Sequence, residues 1–219
     1  MHDVTVVNTL KQAHLESART LAIPVIREGE ILGKLVPIGP WILADEPLIE
    51  AMAAWRARAM EMFLAQFEST PAKTAAYLRD CSIGQDNRVL FMIQSGDVFI
   101  GHVGLANIEN GTGEVDNLMR GPDGGPRGLM SASERALVTW GFDVLGLDTL
   151  FLRGLSHNAK ANRIHENLGF VASQTFPLRR EPAQDGTILV PCSPGQATVP
   201  FTCEVMTLDR GRFQARIST

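Results

Sequence analysis

The sequence predicts a mixed α/β domain built on a twisted, mostly antiparallel sheet with flanking helices. Three observations carry this. The stretch "RVLFMIQSGDVFIGHVGLANI" reads as two strands joined at Ser95, Gly96 and Asp97, a hairpin spelling. Over residues 112–155 a strand, a glycine-rich turn, a helix and another strand follow one another, the order of a β-α-β crossover. Helical and extended patterns also alternate along the chain, which places both kinds of element in one layered unit.

Each element has a local cause. "TLAIPVIREGEILGKLVPIGPWIL" is β-branched and broken at 27–30, predicting two short strands or a strand after an irregular arm. "ADEPLIEAMAAWRARAMEMF" starts a helix, with Asp45 as its cap and Pro47 in its first turn. "ESTPAKTAAYLRDC" repeats that grammar with Thr70 and Pro71. "GTGEVDNLM" is a third strand after the hairpin. "GPDGGPRG", residues 121–128, leads into the helix "LMSASERALVTW". There Ser131 and Glu134 stand in a capping-box relation, Ala136, Leu137, Trp140 and Val144 share a face, and Gly146 is the stop. "DTLFLRGL" is a buried strand, and "NAKANRIHENLGF" a short helix capped by Asn158 and ended by Gly169. The tail "GTILVPCSPGQATVPFTCEVMTL" supplies two more strands. A single domain over 1–219 is expected, with a lead at 1–34, a core over roughly 35–175 and C-terminal strands at 176–210.

Bulk properties narrow the class. With 219 residues and 45% hydrophobic composition the chain can bury one core. A net charge of −4 argues against nucleic acid as a partner. Cys81, Cys192 and Cys203 form no CxxC pair and have no histidine at metal spacing, so reduced structural cysteines, no metal and a cytoplasmic location are expected. The N-terminus shows no basic start before an apolar run, and no stretch of about 18 apolar residues exists, so neither a signal peptide nor membrane insertion is expected.

The glycine stretch lacks the Lys-Ser/Thr ending of a P-loop and the G-x-G-x-x-G of a dinucleotide fingerprint. Its last residues do open a helix, where unpaired N–H groups and the dipole favour an anion. One strand later, "LFLRGLSHNAKANRIHENLGFV" resembles the last motif block of the GNAT acetyltransferases through Asn158, Ala161, His165, Glu166, Leu168, Gly169 and Phe170. The resemblance covers residues 98–171. The chain departs from the pattern at Asn167, where a lysine is usual, and at Gly125, Gly128 and Met130, which occupy the places of Q/R-x-x-G-x-G/A. The resemblance implies a GNAT-like sheet with a splayed central strand and acetyl-CoA or another acyl-CoA as co-substrate. It implies that Asn117, Leu118, Met119 and Arg120 run along the pantetheine arm, with Asn158 and Ala161 opposite. Gly128, Leu129, Met130 and Ser131 would cradle the pyrophosphate, with Arg127 adding charge.

Acyl transfer from a thioester to an amine needs a base for the amine, an acid for the departing thiolate and donors for the oxyanion. Asp116 is the first candidate base; Glu114, on the same strand face, and His102, on the neighbouring strand, are the others. Asn107 lies an odd five residues from His102, so a regular strand turns it to the other side. His165 stands where the family commonly has an acidic tyrosine, whereas Tyr77, the one tyrosine, lies in a different segment. Residues 56–78 and the ending "EVMTLDRGRF" are similar to relatives that acylate amino sugars attached to a nucleotide. The expected acceptor is therefore a nucleotide-linked deoxyamino sugar of the kind used in bacterial surface polysaccharide. Acylation of a protein N-terminus or small amine is the competing enzyme reading, and a catalytically silent CoA-binding module the reading of another class. The apolar residues after Pro191 need a cover, which points to a homodimer through the late strands.

Overall fold

The computed structural model describes residues 4–121 and 124–217. Within the lead, residues 4–20 are helical: α1 (Val4–Lys11) and α2 (Leu15–Thr20) precede the hairpin β1 (Ile23–Arg27) and β2 (Glu30–Pro37). The hairpin itself breaks where the sequence predicts. Helix α3 (Glu46–Arg58) is capped by Asp45, whose carboxylate accepts from the Leu48 N–H at 3.1 Å. Then come the short strand β3 (Ala65–Phe67) and helix α4 (Pro71–Ala76), with Thr70 accepting from the Lys73 N–H. A π-helical segment, Tyr77–Ile83, continues α4.

Strands β4 (Val89–Ser95), β5 (Val98–Glu109) and β6 (Thr112–Arg120) form the predicted meander. Helix α5 (Leu129–Asp143) crosses to β7 (Thr149–Leu155), and α6 (Ala159–Leu168) follows, ended by left-handed Gly169. The tail holds β8 (Val171–Ala183), β9 (Gly186–Pro191), β10 (Thr202–Asp209) and α7 (Arg210–Ile217).

Among the described residues the strand order is β1-β2-β4-β5-β6-β7-β10-β8-β9-β3. Only the β6–β7 pair is parallel, and it is short: Thr112, Gly113 and Glu114 pair with Thr149, Leu150 and Phe151. Beyond Glu114 the two strands part. Both faces of the sheet are covered, so β4 alternates between two cores. Val89, Phe91 and Ile93 face α5 with Leu137, Val138 and Phe142, while Leu90 and Met92 face α3 with Met52 and Trp55.

Four expectations need correction. Ser131 and Glu134 do not form a capping box: Gly128 is the N-cap of α5, and Glu134 points into the interior, fully buried. The helix ends at Asp143, and Val144 is 50% exposed. Strand β8 was not legible; seven of its first eight residues are polar or partly exposed, and it changes partner midway, from β10 at 171–177 to β9 at 178–183. The apolar residues after Pro191 find part of their cover within the chain, since Cys203 is buried and Val199 and Phe201 are partly buried against Leu64, Leu155, Leu178 and Leu189.

The closest backbone approach near the splay is at Gly101, where a Cβ would lie 2.2 Å from the Met119 carbonyl oxygen. Gly101→Ala is expected to lower the unfolding free energy by about 1–3 kcal/mol, measured by denaturant titration; an unchanged midpoint would show that the β5–β6 contact is not tight.

Candidate active site

The site is organised by an irregularity in β6. His102 pairs with Met119 and Gly104 with Asp116, so Asn117 and Leu118 together oppose Val103. This two-against-one bulge turns the strand. Asn117 takes a left-handed φ of 55°, and its carbonyl accepts from His102 Nδ1 at 2.8 Å. That bond assigns the proton to Nδ1 and leaves Nε2 as an acceptor. Burial pushes the His102 pKa down to about 4, so the ring is neutral at physiological pH.

On one side of the bulge lies a cavity of about 360 Å³. Its floor is apolar, with Met52, Leu90 and Met119, and its polar wall carries Asp116, Asn117, His102 and Tyr77. These groups are wired together. The Asn117 side chain donates to Tyr77 Oη at 2.8 Å and to Asp116 Oδ2 at 2.7 Å, while its N–H donates to Asp116 Oδ1 at 2.8 Å. Arg88 donates to Tyr77 Oη and lies 3.8 Å from Asp116. Burial, and after it the neighbouring Glu114 carboxylate, raises the Asp116 pKa. Burial and the Asp116 charge push Tyr77 up to about 12, so its hydroxyl keeps its proton.

On the other side runs a groove of about 430 Å³ between the β6 end, α6 and the loop after α3. Leu118, Met119, Arg120, Gly128, Met130, Ser131, Asn158 and Ala161 all line it. Met119 borders both the groove and the cavity, so the two meet at the bulge. At the far end, Gly128, Ser131 and Ile164 are shared with a further recess of about 440 Å³ that holds Arg135 and the Arg27–Glu28 ion pair. The α5 N-terminus sits at this junction, with the Met130 and Ser131 N–H groups in its first turn beyond reach of any helical carbonyl. The turn before it is anchored: Arg58 donates to the Gly121 carbonyl, Arg120 to that of Gly124, and Arg27 to that of Arg127. Pro122 and Asp123 lie outside the described residues. A long, bent, hydrogen-bonding groove ending in cations fits a phosphorylated pantetheine thioester.

Several expected site residues fall elsewhere. Asn117 faces the cavity and not the groove. The Arg127 side chain lines neither space, and Leu129 is 1% exposed in the core. Glu114 is committed to Arg153, which it binds through both oxygens at 2.8 and 3.0 Å, and to Asn107 at 2.6 Å. Asn107 reaches it because its φ is 49°, which a regular strand would not allow. His165 lines neither space: it is buried between α5 and α6 with Nδ1 2.6 Å from Glu134 Oε1, so its position offers no proton to a groove substrate. Tyr77 is the residue that sequence order hid. It lies 40 positions before Asn117, and only the fold joins them. Arg56 left a trace: it follows Met52 by four residues, putting a cation on the buried face of α3.

A family model described as an acetyltransferase (GNAT) domain matches residues 38–171. Among solved structures, a GCN5-related N-acetyltransferase from Brucella melitensis is 18% identical with a TM-score of 0.60, over 84% of this chain and 80% of that one. Spermidine N-acetyltransferase from Vibrio cholerae, in complex with CoA and spermine, is 16% identical with a TM-score of 0.59, over 78% of this chain and 93% of that one. The ribosomal L7/L12 α-N-protein acetyltransferase RimL, in complex with CoA, is 13% identical with a TM-score of 0.64, over 86% and 97%. At these identities the likeness is one of fold. No curated protein sequence matches the chain.

Two outcomes follow from the buried histidines. His165→Ala strands the Glu134 carboxylate and should lower stability by about 1–3 kcal/mol without changing kcat of the folded enzyme; a large kcat loss would return His165 to the chemistry. Because the folded pKa of His102 is depressed to about 4, below about 6.5 the unfolded chain takes up a proton that the folded one refuses. Stability should therefore fall by about 3 kcal/mol as pH drops from about 6.5 to about 4, a slope that His102→Gln should flatten in denaturant midpoints measured against pH.

Proposed function

The chain belongs to the acetyltransferase (GNAT) domain family and is an acyl-CoA-dependent N-acyltransferase; from that premise we propose that it acylates the amine of a nucleotide-linked deoxyamino sugar by direct attack, in the cytoplasm. The observation that carries the direct-attack reading is the meeting of groove and cavity at Met119, with Asp116 on the cavity side. The groove takes the acyl-CoA, and Leu118 and Met119 run along its arm. The cavity takes the amine.

In this reading Asp116 accepts the ammonium proton, and its raised pKa makes it a stronger base than an ordinary carboxylate. His102 Nε2 is a second acceptor on the same wall. The amine then attacks the thioester carbonyl, forming the C–N bond, and the C–S bond breaks. Backbone N–H groups at the bulge receive the developing oxyanion. Tyr77, held protonated, is the cavity's hydroxyl donor for the departing thiolate and regains its proton from the nitrogen, which sheds its second one as the amide forms.

Support for the sugar acceptor is local. Arg56, Phe67, Lys73 and Tyr77 of the cavity wall all come from residues 56–78, the segment similar to the amino-sugar acyltransferases. A protein N-terminus remains the competing acceptor, since RimL shares the fold. The deciding experiment is an acyl-CoA screen against amino-sugar nucleotides, peptides and polyamines, reading free thiol release. Turnover confined to peptides would remove the sugar reading.

Asp116→Asn should lower kcat/KM for the amine by about 10²–10⁴-fold with CoA affinity nearly intact. The wild-type rate should rise with pH through an ionisation displaced above the usual carboxylate range, because the carboxylate form is the active one. Survival of that limb in Asp116→Asn would move the base elsewhere.

A further inference from the structure

The wall of the amine-side cavity carries three cations, Arg56, Lys73 and Arg88, against one carboxylate, Asp116. Two of the cations have acidic neighbours within the chain: Arg88 lies 3.8 Å from Asp116, and Lys73 lies 3.5 Å from Asp185. Among the described residues Arg56 has no such ion pair. Its Nη2 donates to the Ala65 carbonyl at 3.1 Å, and its buried Nε has no acceptor. The guanidinium carbon rests 3.4 Å from the centre of the Phe63 ring and 5.4 Å from that of Phe67. Burial lowers its pKa to about 10, which still leaves it charged at neutral pH.

Holding a guanidinium out of water costs free energy that one carbonyl, two rings and the more distant Asp116 charge offset only in part, since burial still outweighs them. The planar fork is built for two parallel hydrogen bonds to phosphate or carboxylate. The apolar floor of Met52, Leu90 and Met119 spans the same cavity in which Asp116 offers a base. An acceptor with an amine at one end and an anion at the other satisfies both. A polyamine satisfies only the first, because its second positive charge meets a wall that is already net positive.

We infer that Arg56 binds an anionic group of the acceptor, a phosphate or a carboxylate, and thereby selects anion-bearing amines over polyamines and neutral amines. This rests on the reading of the cavity as the amine site.

The test uses matched acceptors that share an amine and differ only in the anion. Glucosamine against glucosamine 6-phosphate probes phosphate, glycine methyl ester against glycine probes carboxylate, and spermidine is the polycation. Two readouts run in parallel: thiol release with acetyl-CoA, and calorimetric binding of each acceptor to the CoA-saturated protein. In at least one pair the anionic member should bind, and where turnover occurs react, at least about tenfold better than its counterpart, a discrimination equal to one charge-assisted pair. Arg56→Met should bring that ratio to within about twofold, and Arg56→Lys should restore part of it, less for a bidentate anion. Melting curves establish that both variants fold. Equal binding of both members by the wild type, preference for spermidine, or an undiminished ratio in folded Arg56→Met would each overturn the inference. Anion-selective binding without turnover would uphold the Arg56 role and sink the reading of the cavity as the amine site, whereas turnover indifferent to the anion would do the reverse.

Discussion

Strand β6 carries one residue more than β5 can match, and the surplus is absorbed at Asn117 and Leu118. A non-glycine residue in the left-handed region costs roughly 1 kcal/mol or more and persists only where its surroundings over-determine it. Here the surroundings are explicit. The Asn117 carbonyl is held by His102, its carboxamide by Tyr77 and Asp116, and its N–H by Asp116 again. β6 pairs with β7 only as far as Glu114, so the bulged stretch borders the split into which the groove opens. The groove, the cavity and their junction at Met119 all border this one irregularity.

The same knot explains why the polar groups of the cavity are unusual in charge and yet satisfied. Asp116, Tyr77 and His102 are all shifted against ionisation or protonation mainly by burial. Each is nonetheless hydrogen-bonded through Asn117, so the low-dielectric setting strengthens the network where an unpaired group would destabilise it. Glu114 and Arg153 lie just below, at the last residue of the parallel pairing, where their bidentate pair ties β6 to β7 before the strands part. A residue two places away on the same face thus has a bracing role, while Asp116, held by Asn117 and Arg88, lines the cavity.

The fold was largely legible because its signals are local. Caps at Asp45, Thr70 and Asn158, the turn at Gly96 and the stop at Gly169 depend on a few neighbouring atoms, and all five stand where the sequence puts them. What failed depends on distance. Glu134 looked like a capping partner for Ser131 because spacing permits it, but His165, 31 residues later, takes its carboxylate inward. Asn107 defied strand alternation because a single left-handed residue resets the phase. Strand β8 gave no apolar alternation because it works as a bridge between two sheets and leaves much of its length in solvent. The donor groove was readable, since most of its wall comes from one contiguous motif-bearing region. The amine cavity was not, since Tyr77, Arg56 and Arg88 join it only through tertiary contact.

Strand β3, three residues long, pairs with β9, and so fastens a piece of the chain's first third to a piece of its last. Arg180 and Gln66 add a side-chain link across the same seam, and Lys73 and Asp185 an ion pair. The cavity therefore draws part of its wall from residues 52–77 and the rest from residues 88–119, with a buttress from residues 180–188, while the groove is lined mostly by residues 118–164. Substitutions within residues 52–77 fall on the cavity and, apart from Ala59, Met62 and Phe63, leave the groove lining untouched.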